Sequence, residues 1–586
     1  MNKQDMDILN VLHSEKYKNQ RDLAENSGHS LGVVNRSLKD LINNGYIDSE
    51  FKLTDKAKAA FWEAKPKNAV ILAAGFGMRM VPINMEVPKG LLEVNGEPLI
   101  ERTIKQLHEA GIREIYVVVG FMKEQYEYLI DEYGVELVVN SEYASKNNIH
   151  SLKLVLDKIS NTYIIPCDIW CDINPYSNNE LYSWYMVSDM VDDDSDVRVN
   201  RKMELVAVSN GMGGNAMLGI CYLVRDDADI VREKIKKLCM DKHNDAEFWE
   251  KALYKDKSMI VKAKVVHSSD VVEINTYEQL RELDSHSEQL KSDAIITISF
   301  AMKVKIDDIK QITVLKKGMT NRSFLFNVSG EKYIMRIPGE GTDRLIDREQ
   351  ESEVYKKISG KNICDDIIYI NPENGYKITR YIEGARVCNP LDRKDLLVCM
   401  KKLKEFHDMK LKVSREFDLF GQIEFYESLW NGEKSVFRDY EKTKENIFKL
   451  NGFIEQNAGE KVLTHIDAVP DNFLFTAEGD EVRLIDWEYA AMQDPHVDLA
   501  MFSIYSFYDR EQIDNLIDIY FDGNCDKNTR LKIYCYVAIG GLLWSNWCEY
   551  KRTLGVEFGE YSLRQYRYAK EYYKIVQDEL KNYKTK

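Results

Sequence analysis

At 586 residues the chain is too long for one hydrophobic core, and about 150 residues per domain suggests three or four units. Its 44% hydrophobic and 30% charged residues describe an ordinary folded protein rather than a disordered one. A net charge of −16 argues against a general nucleic-acid or anionic-membrane surface, and ten cysteines without C-x-x-C pairing indicate neither a zinc site nor a disulfide framework. The polar start, Met1 to Met6, shows no signal peptide, and the apolar run from Tyr534 to Trp544 is far short of the ~20 residues of a membrane span. The expectation is a cytoplasmic protein without membrane insertion.

Residues 1–65 read as a small helical domain. Apolar positions at helical spacing predict helices over 6–13, 19–27 and 30–43, the last capped by Ser30. Gly45 to Asp48 then leads into a strand-like turn, Phe51-Lys52-Leu53-Thr54. The order resembles a winged helix-turn-helix, whose third helix would enter a DNA major groove. Eight Lys and two Arg against six Asp and four Glu leave the segment neutral, without a DNA reader's basic footprint. DNA and a protein partner both stay open as its ligand.

Pro66 opens a second region, 66–289. Apolar runs at 69–72, 115–119, 136–139 and 163–166 alternate with helical stretches at 100–110 and 123–133. That alternation predicts an α/β Rossmann-like domain, a parallel sheet with helices on both faces. The first run leads into Leu72-Ala73-Ala74-Gly75-Phe76-Gly77-Met78-Arg79, followed by Pro88-Lys89. Ligands of such sheets sit at the carboxyl ends of the strands, where this loop falls. The glycines let backbone close around a phosphate, and Arg79 and Lys89 offer cations to a triphosphate.

Further blocks follow in order: Val94 to Glu101, Val119-Gly120-Phe121-Met122-Lys123-Glu124-Gln125-Tyr126, Asn140 to Tyr143, and Asn147-Asn148 with Ser151-Leu152. Together they resemble the bacterial nucleotidyltransferases that couple CTP to phosphocholine. The resemblance implies in-line attack by a phosphate monoester on the α-phosphorus of CTP, helped mainly by charge and positioning. It places Ala73, Ala74, Gly75 and Gly77 around the nucleotide, Arg79 and Lys89 in catalytic roles, and Mg²⁺ on Asp168 and residue 275. Where the family has Glu-Ile-Asp, this chain reads Glu273-Ile274-Asn275, which brings an amide oxygen but no charge unless Glu273 or Asp270 compensates. The loop also ends Met78-Arg79-Met80 without the usual Ser, and Pro82-Ile83-Asn84 lacks the usual Thr. The expectation is an active domain with an altered metal site. Trp184, with Trp170 and Tyr222, lies where it could line a phosphocholine pocket or serve the core.

Residues 290–586 begin with a short β-rich lobe, to about Tyr381, and continue as a long helical lobe. His465-Ile466-Asp467, Asn472 and Asp486-Trp487-Glu488 follow the logic of a kinase catalytic loop. One Asp accepts a hydroxyl proton, and an Asn and a second Asp hold Mg²⁺ against ATP phosphates. With Leu315 to Phe324 as the turn over the phosphates, including Thr320 and Asn321, the region resembles the choline kinase and aminoglycoside phosphotransferase superfamily. The resemblance makes Asp467 catalytic, Asn472 and Asp486 metal ligands, and Arg336 the strand-borne phosphate cation, with Glu351 or Glu349 as its partner. Quaternary ammonium cannot donate a hydrogen bond, so ring faces hold it. Trp544-Ser545-Asn546-Trp547 resembles the choline-site pair, with Trp487 and Tyr568 as further walls. Trp at such spacing also serves helical cores, and ethanolamine is the close competitor as substrate.

The sequence thus predicts a bifunctional Mg²⁺-dependent enzyme. It would make phosphocholine from choline and ATP, then CDP-choline and pyrophosphate from phosphocholine and CTP. The alternatives are the same architecture acting on ethanolamine or an aminophosphonate, and a choline-sensing DNA-binding regulator with attenuated enzymatic domains.

Overall fold

The computed structural model describes residues 1–14, 17–208, 212–315, 321–339, 345–477, 481–554, 556 and 558–584. They form two compact units, one of residues 1–296 with 312–314 and one of residues 297–311 with 315–586.

The first unit starts with four helices, α1 (Lys3–Ser14), α2 (Gln20–Ser27), α3 (Leu31–Asn43) and α4 (Asp55–Ala64). Side chains of Asn19, Ser30 and Thr54 accept hydrogen bonds from the first-turn amides of α2, α3 and α4, satisfying donors that a helix start leaves open. Ile8, Leu9, Leu12, Leu23, Val34, Leu38, Leu41 and Phe61 form one small core. An antiparallel bridge between Ile47 and Leu53 closes the predicted turn. Helix α4 escapes the sequence reading because only Ala57 and Phe61 are buried along it, too sparse a stripe to stand out.

The rest of that unit is built on β1 (Asn68–Ala73), β2 (Glu114–Val119), β3 (Glu136–Val139), β4 (Thr162–Pro166), β5 (Ile169–Cys171), β6 (Trp184–Asp192), β7 (Val197–Val199), β8 (Glu204–Ala207), β9 (Gly214–Leu223), β10 (Tyr254–Lys255), β11 (Ser258–Val266) and β12 (Val271–Glu273). One ten-stranded sheet runs β3-β2-β1-β4-β9-β6-β11-β8-β7, with β10 added on β11. Strands β1 to β4 are parallel, as their continuous Val/Ile runs predict. From β9 onward the sheet is mixed, since β9 is antiparallel to both β4 and β6, which corrects the all-parallel expectation. The first five residues of β6 are buried and its last four exposed, so its end continues past the covered part of the sheet. The small pair β5–β12 brings Asp168, just before β5, beside the segment that ends in Asn275.

Helices α1 to α4 share polar contacts with this sheet domain. The Tyr182 hydroxyl donates to Asp7 at 2.6 Å, the Asn161 amide to the Glu63 carbonyl at 2.6 Å, and the Tyr222 hydroxyl to the Ala64 carbonyl.

The second unit includes β13 (Asn321–Val328), β14 (Glu331–Pro338), β15 (Ile367–Ile370) and β16 (Lys377–Arg380), neighbours in the order β13-β14-β16-β15 with antiparallel pairing. Helix α5 (Arg348–Ile358) lies between β14 and β15 in the chain. The helical lobe includes α6 (Arg393–Asp408), α7 (Val497–Tyr505), α8 (Lys527–Thr553) and α9 (Glu560–Lys584). Helix α8 is buried on every face from Leu531 to Lys551, as befits a helix through the middle of a lobe. At Gly541 a Cβ would stand 2.6 Å from the Gln565 carbonyl, so only glycine lets α8 and α9 approach this closely.

Candidate active sites

In the first unit, β1 delivers the loop 73–79 to the carboxyl edge of the sheet. Gly77 takes the left-handed conformation (φ 65°) and turns the loop over the stem of Lys89. Ala73 and Ala74 are buried at the strand end, and Gly75 is exposed at the mouth. The Arg79 guanidinium donates to the Asn275 Oδ1 at 2.8 Å and the Lys89 ammonium donates to the same oxygen at 2.7 Å. Lys89 also pairs with Asp168 Oδ2. Four predicted site residues, the ends of this cluster 196 positions apart in the chain, therefore meet in one place.

The second oxygen of Asp168 is buried and has no hydrogen-bond partner among the described residues. Glu273 lies close by; burial first, and then the charge of Asp168, raise its proton affinity. An orphaned carboxylate oxygen, an amide oxygen and a second carboxyl suit a hard cation. Among the described residues no three His, Cys, Asp or Glu side chains form a complete metal cage. That is the usual condition of Mg²⁺ sites, which complete their shell with water and substrate phosphate.

Trp184 belongs to the core, not to a pocket. It is 2% exposed, its indole donates to Glu180 at 2.9 Å, and the Lys264 ammonium lies 4.0 Å from its ring centre. Tyr222 is likewise buried in β9, and Trp170 is fixed by Asp172 and the guanidinium of Arg102, 4.1 Å from its ring. All three sit on strands whose inward positions fill the sheet interior. A group the sequence reading missed is Glu250, whose carboxyl is enclosed and pushed up to about 7 by burial. It accepts from the Tyr185 hydroxyl at 3.2 Å and leaves its other oxygen without a partner among the described residues. No motif surrounds it.

In the second unit a cavity of about 680 Å³ holds the kinase-like residues. Arg336, on β14, makes a two-pronged pair with Glu351 of α5 at 2.6 and 2.7 Å, and Glu349 is exposed. The alternative partner is thereby settled in geometry. Burial opposes the guanidinium charge, but Glu351, then Glu488 and Asp486, outweigh it and hold Arg336 above its ordinary range. The Asn321 amide donates to Glu488 at 2.8 Å, and Thr320 lies outside the described residues.

The loop after β17 (Val462–Thr464) is held from beneath. Ile466 adopts a left-handed backbone (φ 70°), which costs a β-branched residue about 1–3 kcal/mol. Asp498 at the start of α7 offsets that cost by accepting the amides of His465 at 3.0 Å and Ile466 at 2.7 Å. His407, on α6, braces Asp498 at 3.0 Å. His465 is buried, which lowers its proton affinity, and its Nε2 donates to the Ile485 carbonyl at 3.0 Å. This frame points Asp467 into the cavity, where the Asn472 amide donates to it at 3.1 Å. Burial, then Asp486 and Glu488, raise the proton affinity of Asp467. Carboxylates crowded in one dry space repel, and a divalent cation held by Asp486 and Asn472 would relieve that repulsion.

Trp544 and Trp547 both line this cavity, their rings 5.9 Å apart and nearly perpendicular. Trp487 and Tyr568 do not. Trp487 is fully buried, donates to the Leu484 carbonyl at 2.9 Å and packs between His465 and Phe406. Tyr568 donates to the Tyr508 carbonyl at 2.7 Å and packs on Tyr572. Tyr489, Tyr505 and Tyr561 stand in the cavity wall instead, Tyr489 edge-on to Trp544 at 5.7 Å. Single tyrosines among 34 carry no sequence signal of their own. Asp471 adds a carboxylate to the wall and accepts from the Tyr505 hydroxyl at 2.7 Å.

Comparison with known proteins gives three family matches: winged helix-turn-helix DNA-binding over residues 1–48, MobA-like NTP transferase domain over 69–175, and choline/ethanolamine kinase over 312–535. A choline-phosphate cytidylyltransferase of Streptococcus pneumoniae is 45% identical over 117 residues, 20% of this chain and 51% of that protein. A 2-aminoethylphosphonate cytidylyltransferase of Lancefieldella rimae is 33% identical over 204 residues, 32% of this chain and 79% of its own. The protein LicA of Haemophilus influenzae is 27% identical over 268 residues, 42% of this chain and 96% of its own. No helix among the described residues is long and apolar enough to cross a membrane.

Proposed function

We propose that this chain, which belongs to the cytidylyltransferase family and carries a choline-kinase domain behind it, phosphorylates choline with ATP and transfers CMP from CTP to the phosphocholine formed. In chain order its domains are a winged helix, a Rossmann-like nucleotidyltransferase and a choline-kinase-type fold, and it is an enzyme of both transferase kinds. The domain limits that fit best are 1–65, 66–289 and 290–586.

The observation that carries the reading is the sharing of one cavity by the indole pair Trp544/Trp547 and the carboxylate Asp467. Ring faces would hold the cationic head of the alcohol while its hydroxyl meets Asp467, which accepts the proton as the oxygen attacks the γ-phosphorus. Arg336, aligned by Glu351, neutralises phosphate charge. Asn472 and Asp486 would hold Mg²⁺, which supplies charge neutralisation at the transferred phosphoryl group. In the other site Lys89 and Arg79 would draw the nucleotide and the alcohol phosphate together and stabilise the pyrophosphate that leaves. Asp168 and the Asn275 oxygen would hold Mg²⁺ there.

A second reading keeps the architecture and changes the alcohol to ethanolamine or an aminophosphonate. The relative named for 2-aminoethylphosphonate and the carboxylate of Asp471 in the cavity wall favour it, because a primary ammonium needs acceptors as well as rings. Kinase turnover on choline and ethanolamine, compared between the native chain and Trp547→Ala, separates the two. Selective loss on choline supports the ring cage, and an unchanged choline KM removes it. Residues 1–65 would contact DNA through the exposed Asn35, Arg36 and Lys39 of α3, a partner that a mobility-shift assay with the gene's upstream region tests. Ten free cysteines and the lack of a described spanning helix support a cytoplasmic setting.

A further inference from the structure

Lys89 is held at its tip and beside its backbone by one stretch of chain, residues 275–289. At the tip its ammonium donates to the Asn275 Oδ1 at 2.7 Å and pairs with Asp168. Asn275 leads into the helix Tyr277–Leu283, where the Gln279 side chain accepts the Asn275 amide at 2.8 Å. Beyond that helix the polar run Ser285-His286-Ser287-Glu288-Gln289 reads in the sequence as a mere connection toward the second unit. In the structure it turns back onto the segment that follows Lys89.

Both ends of the Gln289 amide bond that backbone. Its Oε1 accepts from the Glu93 amide at 2.8 Å, and its Nε2 donates to the Leu91 carbonyl at 3.2 Å. Only this orientation of the side chain gives each backbone group a partner of the right kind. The Ser287 hydroxyl donates to the Glu93 carbonyl at 3.2 Å, and Asp284 accepts the Asn95 amide at 2.8 Å. The run is itself anchored, because Leu290 is buried and its carbonyl accepts from the Tyr277 hydroxyl at 2.7 Å. Lys89 stands in a single tight turn, Lys89–Leu91, and one such turn fixes little on its own. Tyr126 supplies packing, since a Cβ on Gly90 would stand 3.0 Å from its hydroxyl, and Gln289 supplies the hydrogen bonds.

We infer that Gln289 is a positioning residue of the transferase site: by pinning the backbone at Leu91 and Glu93 it sets where the Lys89 ammonium stands between Asp168 and Asn275. The inference rests on the cytidylyltransferase reading above for the reaction that Lys89 serves, and adds to it what holds that lysine in place. A flexible four-carbon stem brings its charge to one point only when its base is fixed. Charge stabilisation depends on that point, because preorganised groups act through geometry set before the reaction. The polar connection after the transferase domain is thus a working part of its site rather than a tether.

The test uses the full-length chain and Gln289→Met, which keeps the side-chain volume and removes both hydrogen bonds. This change should lower kcat for pyrophosphate release from CTP and phosphocholine by about tenfold, with both KM values within about twofold of native. Choline phosphorylation in the same preparation should not change. In a Lys89→Ala chain the same substitution should cost less than about twofold more, because a residue that acts through Lys89 then has nothing left to position. Hydrogen exchange of the amides in residues 89–95 should quicken by roughly tenfold, as loss of a hydrogen bond implies, while that of residues 462–475 stays at its native rate. An unchanged kcat in Gln289→Met overturns the inference, and so does an equal loss in the Lys89→Ala chain, which would place the effect in the fold at large. If the native chain releases no pyrophosphate, the cytidylyltransferase reading fails, while exchange still decides whether Gln289 holds the Lys89 segment. Unchanged exchange in residues 89–95 removes that hold.

Discussion

In the transferase site two cations, Arg79 and Lys89, share the Asp168 carboxylate and one neutral amide, with the Glu273 carboxyl close by; in the kinase site Arg336 is ringed by Glu351, Asp486 and Glu488, and Arg348 and Lys377 also approach Glu351. The contrast follows from what each site must assemble. In the proposed reading the transferase would join two anions, a nucleotide and an alcohol phosphate, and its paired cations would lower the cost of their approach. The kinase would join one anion to an alcohol that is itself cationic, and a carboxylate-rich cavity would suit that head and supply the base. Read this way, Asn275 is no mere defect in a metal site. It removes one negative charge beside Arg79 and Lys89 and leaves the first site more cationic than an Asp would.

The sharpest way to break the comparison is to disable one site and watch the other. Asp467→Ala should lower alcohol phosphorylation by about 10³-fold, through loss of the positioned base, and leave CMP transfer to added phosphocholine intact. Parallel assays of the two half-reactions check it, and a loss in both would mean that the sites are not separate. Lys89→Ala should cost about 10²-fold in pyrophosphate release, in line with loss of one preorganised charge, while phosphocholine accumulates from choline and ATP. Trp547→Ala should raise the choline KM by roughly tenfold, as one desolvated cation–π contact predicts, whereas Trp487→Phe, a change in the core, should leave that KM where it is. The smallest effect sharpens the charge argument. Asn275→Asp should lower the Mg²⁺ concentration for half-maximal pyrophosphate release by about threefold to tenfold, because ligand charge sets affinity for a hard cation. A rise in that concentration would contradict the role given to the amide.

Much of both sites is legible in the sequence because each depends on a contiguous run of backbone. The loop 73–79 is a strand end plus two glycines, and the stretch from His465 to Asp486 carries Asp467, Asn472 and Asp486 at fixed spacing. Trp544 and Trp547 sit three apart on one helix, so spacing alone brings them together. Other parts depend on long-range packing and leave no local trace. Asp498 meets His465 across 33 residues, Glu250 is isolated, and Tyr489, Tyr505 and Tyr561 are indistinguishable in sequence from core tyrosines. The same ambiguity explains Trp184, Trp487 and Tyr568, whose ring size draws them into cores as readily as into pockets. The sheet is readable as far as β4, through its continuous apolar runs. Beyond it, the mixed strand directions follow from pairing partners that no local pattern names.

The most direct test of consecutive action by the two sites is product analysis of one mixture of full-length protein, choline, ATP, CTP and Mg²⁺. CDP-choline, ADP and pyrophosphate should form together, with phosphocholine appearing first and then falling. Phosphocholine that accumulates without being consumed, or CDP-choline that forms equally well without ATP, would contradict the account.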